Sequence, residues 1–280
     1  MGTQYWQEML LPYQQAVDEL LLKINSLKSQ TIQMGENSPI ESVTGRIKSI
    51  SSILEKINKY GYNIDDLEEK IMDIAGIRII CQFVEDIYEV ANMFYARDGK
   101  DLKVVKIKNY LEGEDKSLFK SGEGIPKASG YQSYHMIIKY PVFCFTGYRE
   151  VYVEIQIRTL AMNFWAIIEH SLNYKYKGKL PGEIKTRLTN TADAVCGLDD
   201  EMSVIRDEIL SAQKIFKMKS GTVNDILENI NNLYKLHQDK RAEAYEREFD
   251  RLSKEEDLIQ LILLKKELQT EVGQIKADEA

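Results

Sequence analysis

Cysteine is scarce in this chain. Its 280 residues hold three, Cys81, Cys144 and Cys196, odd in number, far apart and outside any Cys-x-x-Cys spacing. That excludes a disulfide framework and a thiolate zinc site, and it points to a reducing compartment. Histidine is equally scarce, with His135, His170 and His237 the whole set. No stretch reaches the roughly 20 apolar residues of a membrane-spanning helix. The opening segment, MGTQYWQEMLLPYQQAVDELLLKINSL, interleaves Gln, Glu and Asp with its apolar residues and lacks a basic leader before an uninterrupted apolar run; no signal peptide is expected. The chain is therefore expected in the cytoplasm, with no membrane partner. An excess of basic charge is missing as well: the formal net charge is −7, which gives no reason to expect duplex nucleic acid or an anionic membrane as the main partner. Internal repeats and low-complexity tracts are also absent.

What is present is enough apolar residue, 44%, to bury a core in one domain or in one domain with an appendage. From about residue 4 to 29, Leu10, Val17, Leu20, Leu21, Ile24 and Leu27 recur with helical spacing. After the break MGENSP, the pattern predicts a second helix capped by Ser38, with Pro39 in its first turn, an apolar face from Ile40 to Ile57, and Gly61 at its end. AGIRIICQF then reads as a strand, EDIYEVANMFYA as a helix and LKVVKIKNYL as a strand. The glycine-rich stretch EGEDKSLFKSGEGIPKASG reads as a long functional loop. Two strands, YQSYHMIIKY and REVYVEIQIR, turn about Thr146 and Gly147, and TLAMNFWAIIEHSLNYKYK returns to helical spacing. Beyond Gly182 the chain reads as helical almost to its end, with heavy mixed charge.

Chemistry concentrates on the strands. In REVYVEIQIRT, Val151, Val153, Ile155 and Ile157 share one face and Tyr152, Glu154, Gln156 and Arg158 the other. Taken alone, that polar face is a solvated surface. Its neighbours argue otherwise. Ser133, His135 and Lys139 share a face of the preceding strand, Arg78 stands among apolar residues, and Asp73 just precedes that residue's strand. If these strands form one sheet, two carboxylates, a His, a Lys and two Arg meet on one surface, the composition of a phosphate and metal site. Asp73 and Glu154 are candidate ligands of Mg²⁺, which takes a few carboxylate oxygens and completes its octahedron with water and phosphate. In the predicted second helix, Lys48, Ser52 and Lys56 form a stripe at spacing four with Arg46 beside them; such a stripe suits a triphosphate, although lysines in that pattern more often face only water. Tyr131, directly after Gly130, is placed either to stack on a base or to anchor a strand. Phe164, Trp165 and Ile168 read as core, and Asn163 and His170 are the polar exceptions in that segment, the histidine read as structural.

The runs SGYQSYHMIIKYPV and VEIQIRTLAMNFWAIIEHSLNYKYKG, with DIAGIRIICQF and GRIKSISSILEK, resemble the synthetase domain of the RelA/SpoT family, above all its stand-alone small alarmone synthetases. The likeness covers residues 1–215, leaving 216–280 as a helical C-terminal extension without counterpart. It implies an α+β fold, a mixed β-sheet flanked by helices and related to nucleotidyltransferases. It further implies an Mg²⁺-dependent transfer of the β,γ-pyrophosphate of ATP to the 3′-hydroxyl of GDP or GTP, with GMP an open third acceptor, to make the alarmones of the stringent response. On matching positions, the resemblance implies that Asp73 holds metal and that Glu154 holds metal or helps to deprotonate the hydroxyl. Arg46 and Arg78 sandwich adenine, and Lys48, Ser52 and Lys56 hold the ATP phosphates. Tyr131 stacks on guanine, with His135, Lys139, Gln156 and Asn163 on the acceptor side. Relatives of this size are homotetramers.

Two departures stand out: the loop from Glu112 to Ser129 is longer than in such relatives, and Gln132 stands where many have Arg, which leaves recognition of the acceptor's 5′-phosphates unassigned. Three histidines are too few for the metal site of the family's hydrolase domain, so synthesis without hydrolysis is expected. Two other readings stay open: the same transfer to an adenine nucleotide or a transfer RNA end, and a non-catalytic regulator that binds nucleotides or single-stranded RNA.

Overall fold

The computed structural model describes residues 3–111, 129–145, 147–175, 181–255 and 257–278. The expected long loop falls, up to Ala128, outside the described residues, as does Thr146 of the expected turn. The chain divides into two compact units, Met1–Ser203 and Val204–Ala280.

The first unit is built on a five-stranded sheet, where the sequence pattern predicted four strands. Its elements run α1 (Thr3–Gln33), β1 (Ser42–Ile47), α2 (Ile50–Tyr60), a 3-10 turn (Ile64–Asp66), α3 (Leu67–Lys70), β2 (Ala75–Cys81), α4 (Val84–Tyr95), β3 (Lys103–Asn109), β4 (Tyr134–Cys144), β5 (Gly147–Thr159), α5 (Leu160–Lys175) and the start of α6 (Gly182–Lys235). The order across the sheet is β1-β2-β5-β4-β3. β2 and β5 are parallel; every other neighbouring pair is antiparallel. The sheet is thus mixed and flanked by helices, as expected.

β1 corrects the helix predicted from Ser38. The sequence Ser42-Val43-Thr44-Gly45 is β-branched and glycine-containing, a poor helix former, and it pairs with β2 from Ser42↔Ile80 to Ile47↔Ala75. Gly45 permits α1 to lie close: a Cβ there would come 2.4 Å from Val17 Cγ1. The helix begins only after Ser49, whose Oγ accepts the Ser52 N–H at 3.3 Å. It ends at Gly61 in the left-handed conformation, φ 65°. β4 also runs farther than predicted. Pro141 sits in it past Lys139, the last β4 residue paired to β3, where one edge of the strand needs no ladder donor.

Alternation separates the two faces of the sheet. Ile77 and Ile79 of β2, Met136 and Ile138 of β4, and Val153, Ile155 and Ile157 of β5 are buried in one cluster with Tyr13, Val17, Leu20 and Ile24 of α1 and Ile87, Val90, Ala91 and Phe94 of α4. The i, i+3, i+4, i+7 spacing of the α4 residues is that of a helix with one apolar stripe. At roughly 1.5–3 kcal/mol for each large apolar side chain buried, this cluster is what fixes the sheet, and hence the positions of the residues on its other face. Thr159 turns β5 into α5: its Oγ1 accepts the Met162 N–H at 3.0 Å and donates to Asp199 at 2.6 Å. In α5, Trp165 is buried as expected, but Phe164 and Ile168, which share a face at spacing i, i+4, are exposed.

The second unit has its own core, in which Ile226, Ile230 and Leu233 of α6 pack with Ala242 and Leu252 of α7 (Asp239–Glu255) and with Leu261, Leu264, Leu268 and Val272 of α8 (Leu258–Asp278). Among the described residues no helix is long and apolar enough to cross a membrane.

Candidate functional site

The polar face of the sheet carries the site, and strand register sets its rows. Arg46, Gly76, Glu154, Ile137 and Lys106 are successive partners from β1 to β3; the next row is Thr44, Arg78, Gln156, His135 and Lys108. One side of Glu154 therefore holds the arginines and the other holds His135 and the lysines of the edge strand. Gly76 leaves the space between Arg46 and Glu154 without a side chain.

Glu154 is the most constrained residue here. Its Oε1 lies 3.0 Å from His135 Nδ1, and its Oε2 accepts from Gln156 Nε2 at 2.7 Å. The other imidazole nitrogen lies 2.9 Å from the Tyr131 hydroxyl. Burial pushes the Glu154 carboxyl up, but the His135 hydrogen bond and charge and the Gln156 amide outweigh it, even against the negative charge of Asp73, and hold the group below the usual glutamate value.

Asp73 sits two residues before β2, clamped by two lysines. Lys48 Nζ donates to Oδ2 at 2.7 Å and Lys56 Nζ to Oδ1 at 2.8 Å. Burial again works upward and is outweighed by these two partners, so Asp73 stays ionised below its usual range. The predicted lysine stripe is thus real as a cluster although Lys48 precedes the helix: its backbone N–H donates to Ile74 O at 2.8 Å, fixing it beside Asp73. Lys48, Ser52 and Lys56 line a cavity of about 600 Å³. A second cavity, of about 530 Å³, is lined by Arg78, Tyr131, Gln156 and Arg158; Arg46 and His170 line both. Arg78 is shifted down in pKa by burial and by the charges of Arg158 and Arg46, so two of the predicted arginines stand near a third cation. Among the described residues, the Nε of Arg78 and the Oδ1 of Asn163 are buried without a hydrogen-bond partner, as groups waiting for a ligand would be. Lys139 shares the face but stands farther along it, opposite Tyr152, with its Nζ 5.1 Å from that ring's centroid.

Several residues here escaped the sequence reading. Lys106 and Lys108 share the site face by alternation, and Lys103 joins them there only because of an irregularity in β3 between Val104 and Lys106, which strict alternation cannot reveal. Tyr110 meets the Tyr131 and His135 rings edge-on at 5.8 and 5.3 Å. His170, read as structural, is exposed and lines both cavities. Alternation puts Arg158 on the site face, where it is found lining the second cavity, but alternation assigns it no role.

Two ionised carboxylates that oppose each other electrostatically fit a hard divalent cation, which takes few protein oxygens when phosphate and water supply the rest. Among the described residues no group of three or more metal-ligating side chains is assembled, so this donor set suits a metal brought with a phosphate better than one held in a protein cage.

Comparison with known proteins finds relatives of this chain. A family model described as "Region found in RelA / SpoT proteins" matches residues 45–179, which span every strand from the end of β1 to β5. GTP pyrophosphokinase YjbM of Bacillus subtilis is 45% identical over 219 residues, 78% of this chain and 97% of that one. A GTP pyrophosphokinase family protein from Streptococcus pneumoniae superposes with a TM-score of 0.67 at 45% identity, covering 77% of this chain and 98% of that one. Small alarmone synthetase 1 of Bacillus subtilis, bound to its product pppGpp, gives a TM-score of 0.65 at 46% identity, covering 73% and 98%.

Proposed function

The chain belongs to the RelA/SpoT family, among its small alarmone synthetases, and on that premise we propose how its site works as a GTP pyrophosphokinase. ATP gives its β,γ-pyrophosphate to the 3′-hydroxyl of a guanosine nucleotide. The observation that carries the assignment of residues is the position of Glu154, between the arginines of β1 and β2 on one side and Tyr131 and His135 on the other.

On the donor side, Arg46 and Arg78 take the adenine, with the unpartnered Arg78 Nε in support, while Lys48, Ser52 and Lys56 take the phosphates. Each lysine then exchanges Asp73 for phosphate oxygens. On the acceptor side, guanine stacks on Tyr131, a contact of about 1–3 kcal/mol by analogy with base–aromatic stacking elsewhere. Asn163, with its unpartnered Oδ1, and Lys139 complete that side. Lys106 and Lys108, on the face of His135, favour an acceptor with several 5′-phosphates, so GDP and GTP come before GMP.

Glu154, held ionised, accepts the proton of the 3′-hydroxyl. The freed oxygen forms a bond to the β-phosphorus as the bond from that phosphorus to the bridging oxygen of AMP breaks, and AMP leaves with the electron pair. His135 and Gln156 keep both carboxylate oxygens aimed while this happens. The rest is positioning and charge neutralisation, the main resources of phosphoryl transfer. Asp73 and Glu154 would hold the divalent metal, taken here as Mg²⁺, which when bound neutralises phosphate charge and polarises the reacting phosphorus. In this reading residues 1–215 form the synthetase domain and 216–280 a helical extension, the working form is a homotetramer in the cytoplasm, and single-stranded RNA is a partner to be tested.

The test is anion-exchange separation of products after incubation with Mg²⁺, ATP and, in parallel, GMP, GDP, GTP or an adenine nucleotide. New 3′-pyrophosphorylated products from GDP and GTP are expected, with less from GMP. A product from the adenine nucleotide alone would overturn the acceptor assignment.

A further inference from the structure

We propose that Arg158 is a positioning residue for the guanosine acceptor, acting through the Tyr131 ring and the Gln156 amide. The inference rests on the reading of Tyr131 as the guanine platform.

Arg158 is only 5% exposed, and its protein hydrogen bonds go to neutral oxygens: Nε to Ser133 Oγ at 3.1 Å, Nη2 to Gln156 Oε1 at 3.0 Å, and Nη2 to the Tyr131 hydroxyl. Ser133 is itself fixed, donating to Ile157 O at 3.3 Å. A guanidinium donates only and does not lose its proton. Gln156 must therefore turn its carbonyl oxygen to Arg158, which leaves its amide nitrogen to donate to Glu154 at 2.7 Å. Tyr131 must likewise accept from Arg158, and its hydroxyl closes on His135, which closes on Glu154. Arg158, Gln156, Glu154, His135 and Tyr131 thus form a closed ring of hydrogen bonds. In this ring Arg158 only donates, and the ionised Glu154 only accepts.

The same guanidinium lies 5.0 Å from the centroid of the Tyr131 ring, so it also sets the ring's tilt by a cation–π contact. A buried cation whose partners among the described residues are all neutral is expensive; a prop for the fold would be better made from an apolar side chain. Its location on the wall of the cavity it shares with Tyr131 and Gln156 gives the cost a purpose.

The experiment compares wild type, Arg158→Lys, Tyr131→Phe, their double variant and Tyr131→Ala, measuring KM for GDP, KM for ATP, kcat and, by equilibrium dialysis without ATP, GDP binding. Arg158→Lys keeps the charge and loses the fork. It should raise the GDP KM about tenfold and leave the ATP KM within about twofold, and the double variant should be no worse than the worse single variant, since both break one link. Equal rises in both KM values, a fall in kcat alone, or additive losses in the double variant would overturn the proposal and leave Arg158 a structural prop. If Tyr131→Ala does not weaken GDP, the platform reading itself fails. If it does, while Arg158→Lys leaves GDP KM and GDP binding unchanged, only the inference about Arg158 fails.

Discussion

His135 and Glu154 meet diagonally across neighbouring antiparallel strands, His135 opposite Gln156 and Glu154 opposite Ile137, with the imidazole Nδ1 3.0 Å from the carboxylate Oε1. The imidazole holds the carboxylate in one orientation and favours its ionised form, which a base and metal ligand requires. Glu154→Gln keeps the volume and removes the charge. It should lower kcat by about 10²–10⁴, the usual worth of a positioned base, while the melting temperature moves by only a few degrees. Steady-state kinetics beside a thermal melt checks this; activity within a few-fold of wild type would remove Glu154 from the proton transfer.

Tyr131→Ala should act mainly on one substrate. Losing a stacking contact of about 1–3 kcal/mol predicts a GDP KM higher by about 5- to 150-fold with a nearly unchanged ATP KM. A matching loss of ATP affinity would contradict the separation of donor and acceptor sides.

Acid stability offers a test away from the site. The Arg97 hydrogen bond, outweighing burial and joined by Lys23, holds Asp101 down at about 2 from an ordinary 3.8. A depressed carboxyl contributes stability above its unfolded pKa and loses it as pH falls through the folded one. The contribution should be intact above about pH 4 and disappear toward pH 2. Denaturant melts in that window should show a shallower pH slope for Asp101→Asn than for wild type, and identical slopes would refute the assignment. The effect will be modest, because side chains this exposed are screened by water.

The helical unit beyond Ser203 should answer to its own core. Leu268 is fully buried there, and Leu268→Ala should destabilise by about 2–5 kcal/mol, read as earlier loss of helical signal on heating. No shift would mean that this core contributes no packing energy.

Much of this was legible in the sequence because alternation is a strong signal in strands with one apolar face. Val151, Val153, Ile155 and Ile157 declare the orientation of Glu154 and Gln156 without help, and Gly61 marks its helix end plainly. The errors came where local pattern and tertiary pairing disagree. Apolar residues from Ile40 to Ile57 have a helical rhythm throughout, yet residues 42–47 are drawn into an edge strand by pairing with β2 and by the close approach that Gly45 allows to α1. The edge lysines of β3 needed a register that only the folded sheet supplies. Arg158 could be placed on a face from sequence, but its bonds to Ser133, Gln156 and Tyr131 span 25, 2 and 27 residues, and no spacing rule joins them.

The most direct measurement follows the fate of the transferred group. ATP carrying ¹⁸O on its γ-phosphoryl oxygens is incubated with GDP and Mg²⁺, and the isotope shift in ³¹P NMR of the products locates the label while AMP is quantified. The account predicts label in a 3′-diphosphate of guanosine with one AMP formed per product, lost in Glu154→Gln. Label at the 5′ end with ADP as co-product, or no guanosine product at all, would contradict it.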